Sequence, residues 1–104
     1  MLDVNNIYVS CINHHYQASD YLAVIDKEDV GEIHLAGHTE KHLPQGRILI
    51  DDHSKKVSDE VWDLYQITLK KMGNKPTLIE WDSDIPDLSV LLDEAQKARA
   101  ELDA

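Results

Sequence analysis

Apolar residues along this chain form short, nearly continuous runs that alternate with longer segments of helical spacing. The runs predict strands at residues 32–36, 47–51 and 77–81, and a strand end that passes into a loop over residues 2–9. In the segment of residues 2–9, Asn5 and Asn6 are interpreted as the point where the strand ends and the loop begins. Continuous apolar runs are typical of strands covered on both faces, so the pattern indicates a parallel sheet between helices.

The segments between the runs predict three helices. A short helix is expected over residues 18–25, with Ser19 as a candidate N-cap. A stronger one is capped by Ser58 and stopped by Gly73. Its apolar stripe consists of Val61, Leu64, Tyr65, Thr68, Leu69 and Met72. Pro86 suits the first position of the last helix. The expected buried face of that helix consists of Leu88, Leu91, Leu92, Ala95, Ala98 and Leu102.

We interpret the order as strand and helix repeated four times, although no helical pattern lies between the strands at residues 32–36 and 47–51. Parallel strands need crossover connections of this kind, so the fold class is α/β with parallel βα repeats. Four βα units amount to half of a TIM (β/α)8 barrel. No linker or low-complexity segment interrupts the sequence, and we expect one domain over residues 1–104.

Composition narrows the class of partner. The net charge is −10, which disfavours the phosphate backbone of a nucleic acid. No run is long and apolar enough to predict a membrane span, and the first residues do not read as a signal peptide. The single cysteine, Cys11, excludes an internal disulfide framework and fits a reducing cytoplasm. We therefore expect a cytoplasmic protein without nucleic-acid or membrane partners.

Side chains with metal-ligand chemistry fall at the ends of the predicted strands. They are Asp3, Asn6, His34, Asp51, His53 and Glu80. The carboxyl ends of parallel strands meet at one edge of a sheet or one mouth of a barrel, so these residues should converge. Carboxylate, imidazole and amide oxygen together suit iron, manganese or zinc. Each residue taken alone also fits an ordinary structural role, and only their conjunction predicts a metal site.

The remaining histidines and the cysteine give weaker signals. His14, His15 and His42 lie in predicted loops, where a solvated or substrate-facing role is expected. Cys11 is read as a plain loop or core thiol, because no base is clearly paired with it. His38 lies just past the second strand and receives no assignment.

Six segments together resemble a known family. In order they are LDVNNIYVS, NHH, EIHLAGH, ILIDDHS, VWDLY and PTLIEWDSDIP. They resemble the C-terminal half of the DUF692 proteins, also called UPF0276, and the resemblance covers nearly the whole chain. That family includes the multinuclear iron enzyme of methanobactin biosynthesis and relatives that modify cysteines of ribosomally made peptides.

The resemblance implies a barrel of the xylose isomerase and endonuclease IV type, with iron as the cofactor. It implies dioxygen chemistry on a cysteine of a precursor peptide, often with a partner protein that presents the peptide. Carried over position by position, it implicates the same six residues as ligands on strands resembling the fifth to eighth of the barrel. His14 and His38 belong to the family motifs without an assigned metal.

The resemblance also has a large gap, because the first four strands and their additional His and Glu ligands have no counterpart here. Two interpretations remain open: the chain is truncated, or the protein is naturally of half length. An isolated half barrel exposes both sheet edges, so a homo-oligomer, most simply a two-fold dimer, is expected. The alternative to the enzyme is a catalytically inactive half barrel that acts as a homo-oligomeric binding module, with another divalent metal or none. A nuclease is disfavoured by the negative charge.

Overall fold

The computed structural model describes all 104 residues and contains five strands and four α-helices. The strands are β1 (Leu2–Asp3), β2 (Ile33–Ala36), β3 (Thr39–Leu43), β4 (Gly46–Ile50) and β5 (Thr77–Glu80). The helices are α1 (Val4–His14), α2 (Ala18–Ala23), α3 (Asp59–Met72) and α4 (Leu88–Asp103). A 3₁₀ turn at Lys27–Asp29 connects α2 with β2.

Three of the strands form a parallel sheet in the order β1-β2-β5. Leu2 of β1 pairs with Ile33 of β2, and Ile33 pairs on its other side with Thr77 of β5. The sheet therefore has β2 at its centre and β1 and β5 at its edges. The α/β class with parallel strands is confirmed for these three segments.

The prediction of a fourth parallel strand at residues 47–51 is wrong. β4 instead pairs antiparallel with β3, with Thr39 opposite Ile50 and Leu43 opposite Gly46. A two-residue turn can join antiparallel strands, and Pro44-Gln45 supplies it, so the chain has no room for a crossover. Gly46 adopts φ 140° as the chain enters β4, a conformation that favours glycine. The chain therefore does not form four parallel βα units.

The beginning of the chain is helical where a loop was expected. The Asp3 side chain accepts a hydrogen bond from the Asn6 backbone N–H and caps α1, which continues to His14. Asn5 and Asn6 thus lie in the first turn of a helix rather than in a break. In α2 the N-cap residue is Gln17 rather than Ser19.

The core lies between α1, the parallel sheet and α3. Its fully buried members include Val4, Ile33, Leu35, Val61 and Tyr65. The whole predicted stripe of α3 is buried, and Ser58 accepts the Val61 N–H at 3.3 Å as the predicted cap. Trp62 is buried as well. The amphipathic pattern of α3 was therefore a reliable guide to its packing.

The predicted buried face of α4 is largely wrong. Only Glu94 and Ala98 are buried in this helix, Leu91 is half-buried, and Leu88 and Leu92 are exposed. The reason is that α4 packs against β5, which is an edge strand, so no further strand covers the rest of its apolar face. Its N-cap residue is Asp87, which places Pro86 just outside the helix instead of at its first position.

None of the four helices has the length and apolar character that crossing a membrane would require.

Candidate metal centre

The side chains of interest lie at the carboxyl ends of β1 and β5, on β2 at His34, and in the segment that follows β4. His53 in that segment donates its backbone N–H to the Gly37 carbonyl at 3.2 Å, just past β2. Its own carbonyl accepts from the Asp82 N–H at 2.8 Å, just past β5. These two bonds bring the segment between two parallel strand ends. The antiparallel course of β4 therefore does not carry Asp51 and His53 away from the sheet edge.

His34 on β2 is held between two carboxylates. Its Nε2 lies 2.8 Å from Glu32 Oε1, to which it donates. Its Nδ1 lies beside Glu80 Oε1, yet Nδ1 is buried and has no hydrogen bond of acceptable geometry. Nδ1 therefore faces the Glu80 carboxylate without a hydrogen bond to it.

His53 repeats this arrangement. Its Nδ1 donates to Asp82 Oδ2 at 2.8 Å, with Glu80 Oε2 at 3.3 Å. Its Nε2 is 2.9 Å from Asp51 Oδ1, but Nε2 is also buried and lacks a hydrogen bond of acceptable geometry. Histidines that bind metals usually donate one ring N–H to a carboxylate and direct the other nitrogen at the ion. Both His34 and His53 have this form.

Ligand atoms of Asp3, Asp51 and His53 lie within 4.8 Å of one another, and those of His53, Glu80 and Asp82 form a second such group. Because the His53 Nδ1 proton is already directed at Asp82, the free Nε2 favours the first group as a ligand set. Glu80 contacts both histidines and links the two parts of the centre.

Asn6 joins the centre differently. Its Nδ2 donates to Asp51 Oδ2 at 3.1 Å, which leaves its amide oxygen as the remaining donor atom for a cation. The structure thus brings all six residues expected from the sequence into one contiguous cluster. Their role as metal ligands stays a prediction.

Three further residues of the centre were missed. Asp82 and Glu32 orient the two histidines, and Asn5 donates to Asp51 Oδ1 at 2.5 Å. Asp82 had a usable signal, because it lies two residues after Glu80 at a strand end, where alternate residues share a face. Asn5 had none, since its burial depends on α1, which the sequence reading had not recognised.

The electrostatics of the centre are those of crowded carboxylates. Burial raises the pKa of Asp3, the neighbouring Asp51 charge adds to the rise, and the hydrogen bond from Asn6 opposes it. Burial would lower the pKa of His53. The hydrogen bond to Asp82 and the charge of Asp51 outweigh that effect, so the pKa is raised. A cation bound beside these groups would lower the pKa of both Asp3 and His53.

The backbone around the centre is unusual at two points. His53 has φ 53°, a left-handed conformation that is uncommon outside glycine and often marks functional sites. Gly37 is buried and so close to the Lys55 and Lys56 carbonyls that an added Cβ would meet backbone oxygen. The Gly37 carbonyl also accepts from Asn5 Nδ2 at 3.1 Å. These contacts fix the segment that carries Asp51 and His53.

The other sequence candidates lie outside the cluster. His14, His15 and His42 are exposed, and none of them contacts the centre. Cys11 is buried in the core, and its burial raises the thiol pKa. This agrees with the interpretation of Cys11 as a core thiol.

The fold and the cluster define a class: an α/β protein with parallel strands and a histidine–carboxylate centre at their carboxyl ends. Residues 1–103 match the family model described as RiPP precursor modification enzyme MbnB/TglH/ChrH. The chain belongs to this family.

Proteins of three bacteria illustrate the relationship. A UPF0276 protein of Vibrio vulnificus strain YJ016 is 53% identical over 104 residues, which is 100% of this chain and 36% of the relative. UPF0276 proteins of Rhizobium meliloti strain 1021 and Anaeromyxobacter sp. strain Fw109-5 are 49% and 45% identical over 104 residues, covering 34% and 35% of their lengths. The chain therefore spans about a third of the length of the curated relatives it matches. The DUF692/UPF0276 resemblance noted in the sequence is confirmed.

Proposed function

We propose that the centre binds iron and that the chain carries part of the active site of an enzyme that oxidatively modifies cysteine in ribosomally made peptides. The observation that carries the metal assignment is the pair of histidines, each with one nitrogen donating to a carboxylate and the other buried beside a second carboxylate without a hydrogen bond of acceptable geometry. A cation shared by each of these nitrogens and its neighbouring carboxylate would satisfy both groups.

The donor set fits a first-row transition metal. His34 Nδ1 and Glu80 would hold an ion at one end of the cluster, and His53 Nε2, Asp51 and Asp3 at the other. Mixed imidazole and carboxylate ligands with open positions are typical of iron sites that react with dioxygen. Iron bound here would supply the oxidising chemistry. Zinc, manganese or another divalent ion would fit the same atoms.

The chain's own side chains have definable tasks in this proposal. Glu32 and Asp82 hold the imidazole rings in one tautomer, so that the free nitrogens keep their direction. Asn5 and Asn6 both donate to Asp51 and hold its two oxygens. The crowded carboxylates offset the positive charge of a bound ion, which agrees with an acidic chain.

The family supports the substrate class, because its description names RiPP precursor modification. We extend this to a precursor peptide that contains cysteine and to a partner protein that presents it. We also propose that β1, β2 and β5 are strands of a TIM barrel. The test is iron analysis after anaerobic loading, followed by dioxygen consumption with a cysteine peptide. Stoichiometric iron with peptide-dependent consumption supports the enzyme, and iron binding without consumption argues against an oxidase in this chain.

A second candidate is an inactive module that functions as a homo-oligomer. It is favoured by apolar side chains that lack a partner surface: Leu78 on the edge strand β5 is 51% exposed, and Ile48 and Ile50 of the hairpin are 40% and 37% exposed. A two-fold dimer could cover the β5 edge. Sedimentation equilibrium decides: a metal-free dimer supports the module, and a folded monomer of 11.9 kDa opposes it.

A further inference from the structure

His38 lies beside the proposed metal centre without belonging to its ligand set. It follows β2, is half-buried, and packs its ring against Tyr8 with ring centroids 5.4 Å apart. Its Nδ1 lies 2.8 Å from Asn5 Oδ1. The question is which ring nitrogen carries the proton, because that decides what His38 offers to a bound molecule.

The neighbours of Asn5 answer this question. Asn5 is completely buried, and its Nδ2 donates to two groups that can only accept, the Gly37 carbonyl and the Asp51 carboxylate. The amide therefore cannot be flipped, and its oxygen must face His38. An oxygen acceptor requires a proton on His38 Nδ1. Neutral His38 is thus held with Nε2 as an acceptor.

The Nε2 atom has no partner within the chain, and His38 lines a cavity of about 390 Å³. Tyr8, Thr39, Arg47 and Lys55 are among the other residues that line it. The acidic groups around the imidazole are Glu60, Asp51, Asp52 and Glu40, and the basic groups of the lining are Arg47 and Lys55. Burial lowers the pKa of His38 despite the acidic groups, which favours the neutral ring with its Nε2 lone pair available.

We infer that this cavity is the place where the cysteine thiol of a peptide substrate docks, with His38 Nε2 as the acceptor of its proton and Asn5 as the positioning residue. This inference rests on the proposed function and adds the residue that receives the substrate. In the step, the substrate S–H bond breaks, an N–H bond forms at Nε2, and the sulfur keeps the electron pair as a thiolate. The Nδ1–H bond to Asn5 persists in the resulting imidazolium.

Two features of the lining bear on that ion pair. A thiol paired with an imidazole or placed near a lysine has a lowered pKa, and Lys55 lines the cavity. Arg47 also lines it but donates to Glu40 at 2.6 Å, and Glu60 is a further carboxylate of the lining, so Lys55 and the imidazolium are the cations left to face the thiolate. Asn5 touches both Asp51 and His38, so a single side chain holds the ligand cluster and the proton acceptor in fixed relation. The thiol site would therefore lie next to the metal centre.

The test is long-range ¹H–¹⁵N NMR of the histidine side chains in the 104-residue chain. We expect neutral His38 to be the Nδ1–H tautomer. We also expect a short peptide with one cysteine to shift His38 toward imidazolium, while the same peptide with serine leaves it unchanged. His38→Gln should weaken binding of the cysteine peptide about tenfold, as for loss of a charge-assisted hydrogen bond. His42→Gln, an exposed histidine of β3, is the matched control and should bind like the parent chain.

An Nε2–H tautomer at His38, or equal responses to the two peptides, would overturn the inference. Zn²⁺ added to the same sample reports separately on His34 and His53. If Zn²⁺ leaves those two unperturbed while His38 behaves as described, the metal proposal fails and the thiol site stands.

Discussion

Gly37 offers the sharpest test of how the chain builds the centre. In Gly37→Ala the new Cβ would lie 2.5 Å from the Lys55 carbonyl carbon and 2.6 Å from the Lys56 oxygen. These are backbone atoms, so no side chain can rotate away and the segment after His53 must move.

The magnitude follows from two contributions. Overpacking of a buried position costs about 1–3 kcal/mol. Displacing the segment also weakens the Gly37 carbonyl's bonds to Asn5 and His53, at about 1 kcal/mol each. We expect a loss of about 3–5 kcal/mol in the free energy of unfolding, a large share of the roughly 5–15 kcal/mol of a small domain.

Urea unfolding of Gly37→Ala beside two other glycine variants measures this. Gly31→Ala meets no atom within 4 Å and should change the free energy of unfolding by less than about 0.5 kcal/mol. Gly73→Ala is equally open but has φ 79°, so it should cost about 1 kcal/mol through backbone strain. If Gly37→Ala unfolds at the same urea concentration as Gly31→Ala, the packing of this segment against β2 is refuted.

Three further predictions concern two core residues, Leu64 and Cys11, and Glu94, which binds the backbone at Val57. Leu64→Ala should lower the free energy of unfolding, measured in urea, by about 2–5 kcal/mol, whereas Leu92→Ala at an exposed position should lower it by less than about 0.5 kcal/mol. Equal losses for the two variants would show that α3 or α4 does not pack as described. Cys11 should react with iodoacetamide at pH 8 far more slowly in the native chain than in urea, because burial raises its pKa; equal rates would place it at the surface. A raised pKa also means that the Cys11 contribution to stability is present below the thiol pKa of the unfolded chain and is lost as pH rises through the folded value. Glu94→Ala should lower the free energy of unfolding by about 1–3 kcal/mol, measured by thermal or urea unfolding. The reason is that the buried Val57 N–H, which donates to Glu94 Oε1 at 2.8 Å, loses its acceptor. An unchanged free energy would show that water replaces the carboxylate.

The sequence predicted those parts of the molecule whose signals are local. Ser58 as the N-cap, an apolar stripe and Gly73 as the stop signal predicted α3, and the structure has the helix between these two residues. The ligand residues were found because strand ends place functional groups together. The rule grouped the right residues although the parallel pairing predicted for β4 was wrong. The reason is that the backbone bonds of His53 with Gly37 and Asp82 bring Asp51 and His53 back to the sheet edge.

What could not be predicted depends on partners distant in the sequence. The tautomers of His34 and His53 are set by Glu32 and Asp82, and no pattern in the chain states that pairing. The pairing of β3 with β4 was missed because residues 39–43 are mostly exposed and polar, so their extended form leaves no apolar run to read. The apolar face of α4 is real, but burial also requires a surface to pack against.

The central claim is that His34 and His53 belong to a metal centre, and anaerobic titration calorimetry with Fe²⁺ tests it most directly. The parent chain should bind iron saturably, at one ion or more per chain. His53→Ala should weaken that binding at least about tenfold, since loss of even an orienting partner typically costs that much. His42→Ala, at an exposed position outside the cluster, should bind iron like the parent chain. Absence of saturable binding in the parent, or unchanged affinity in His53→Ala, would contradict the account.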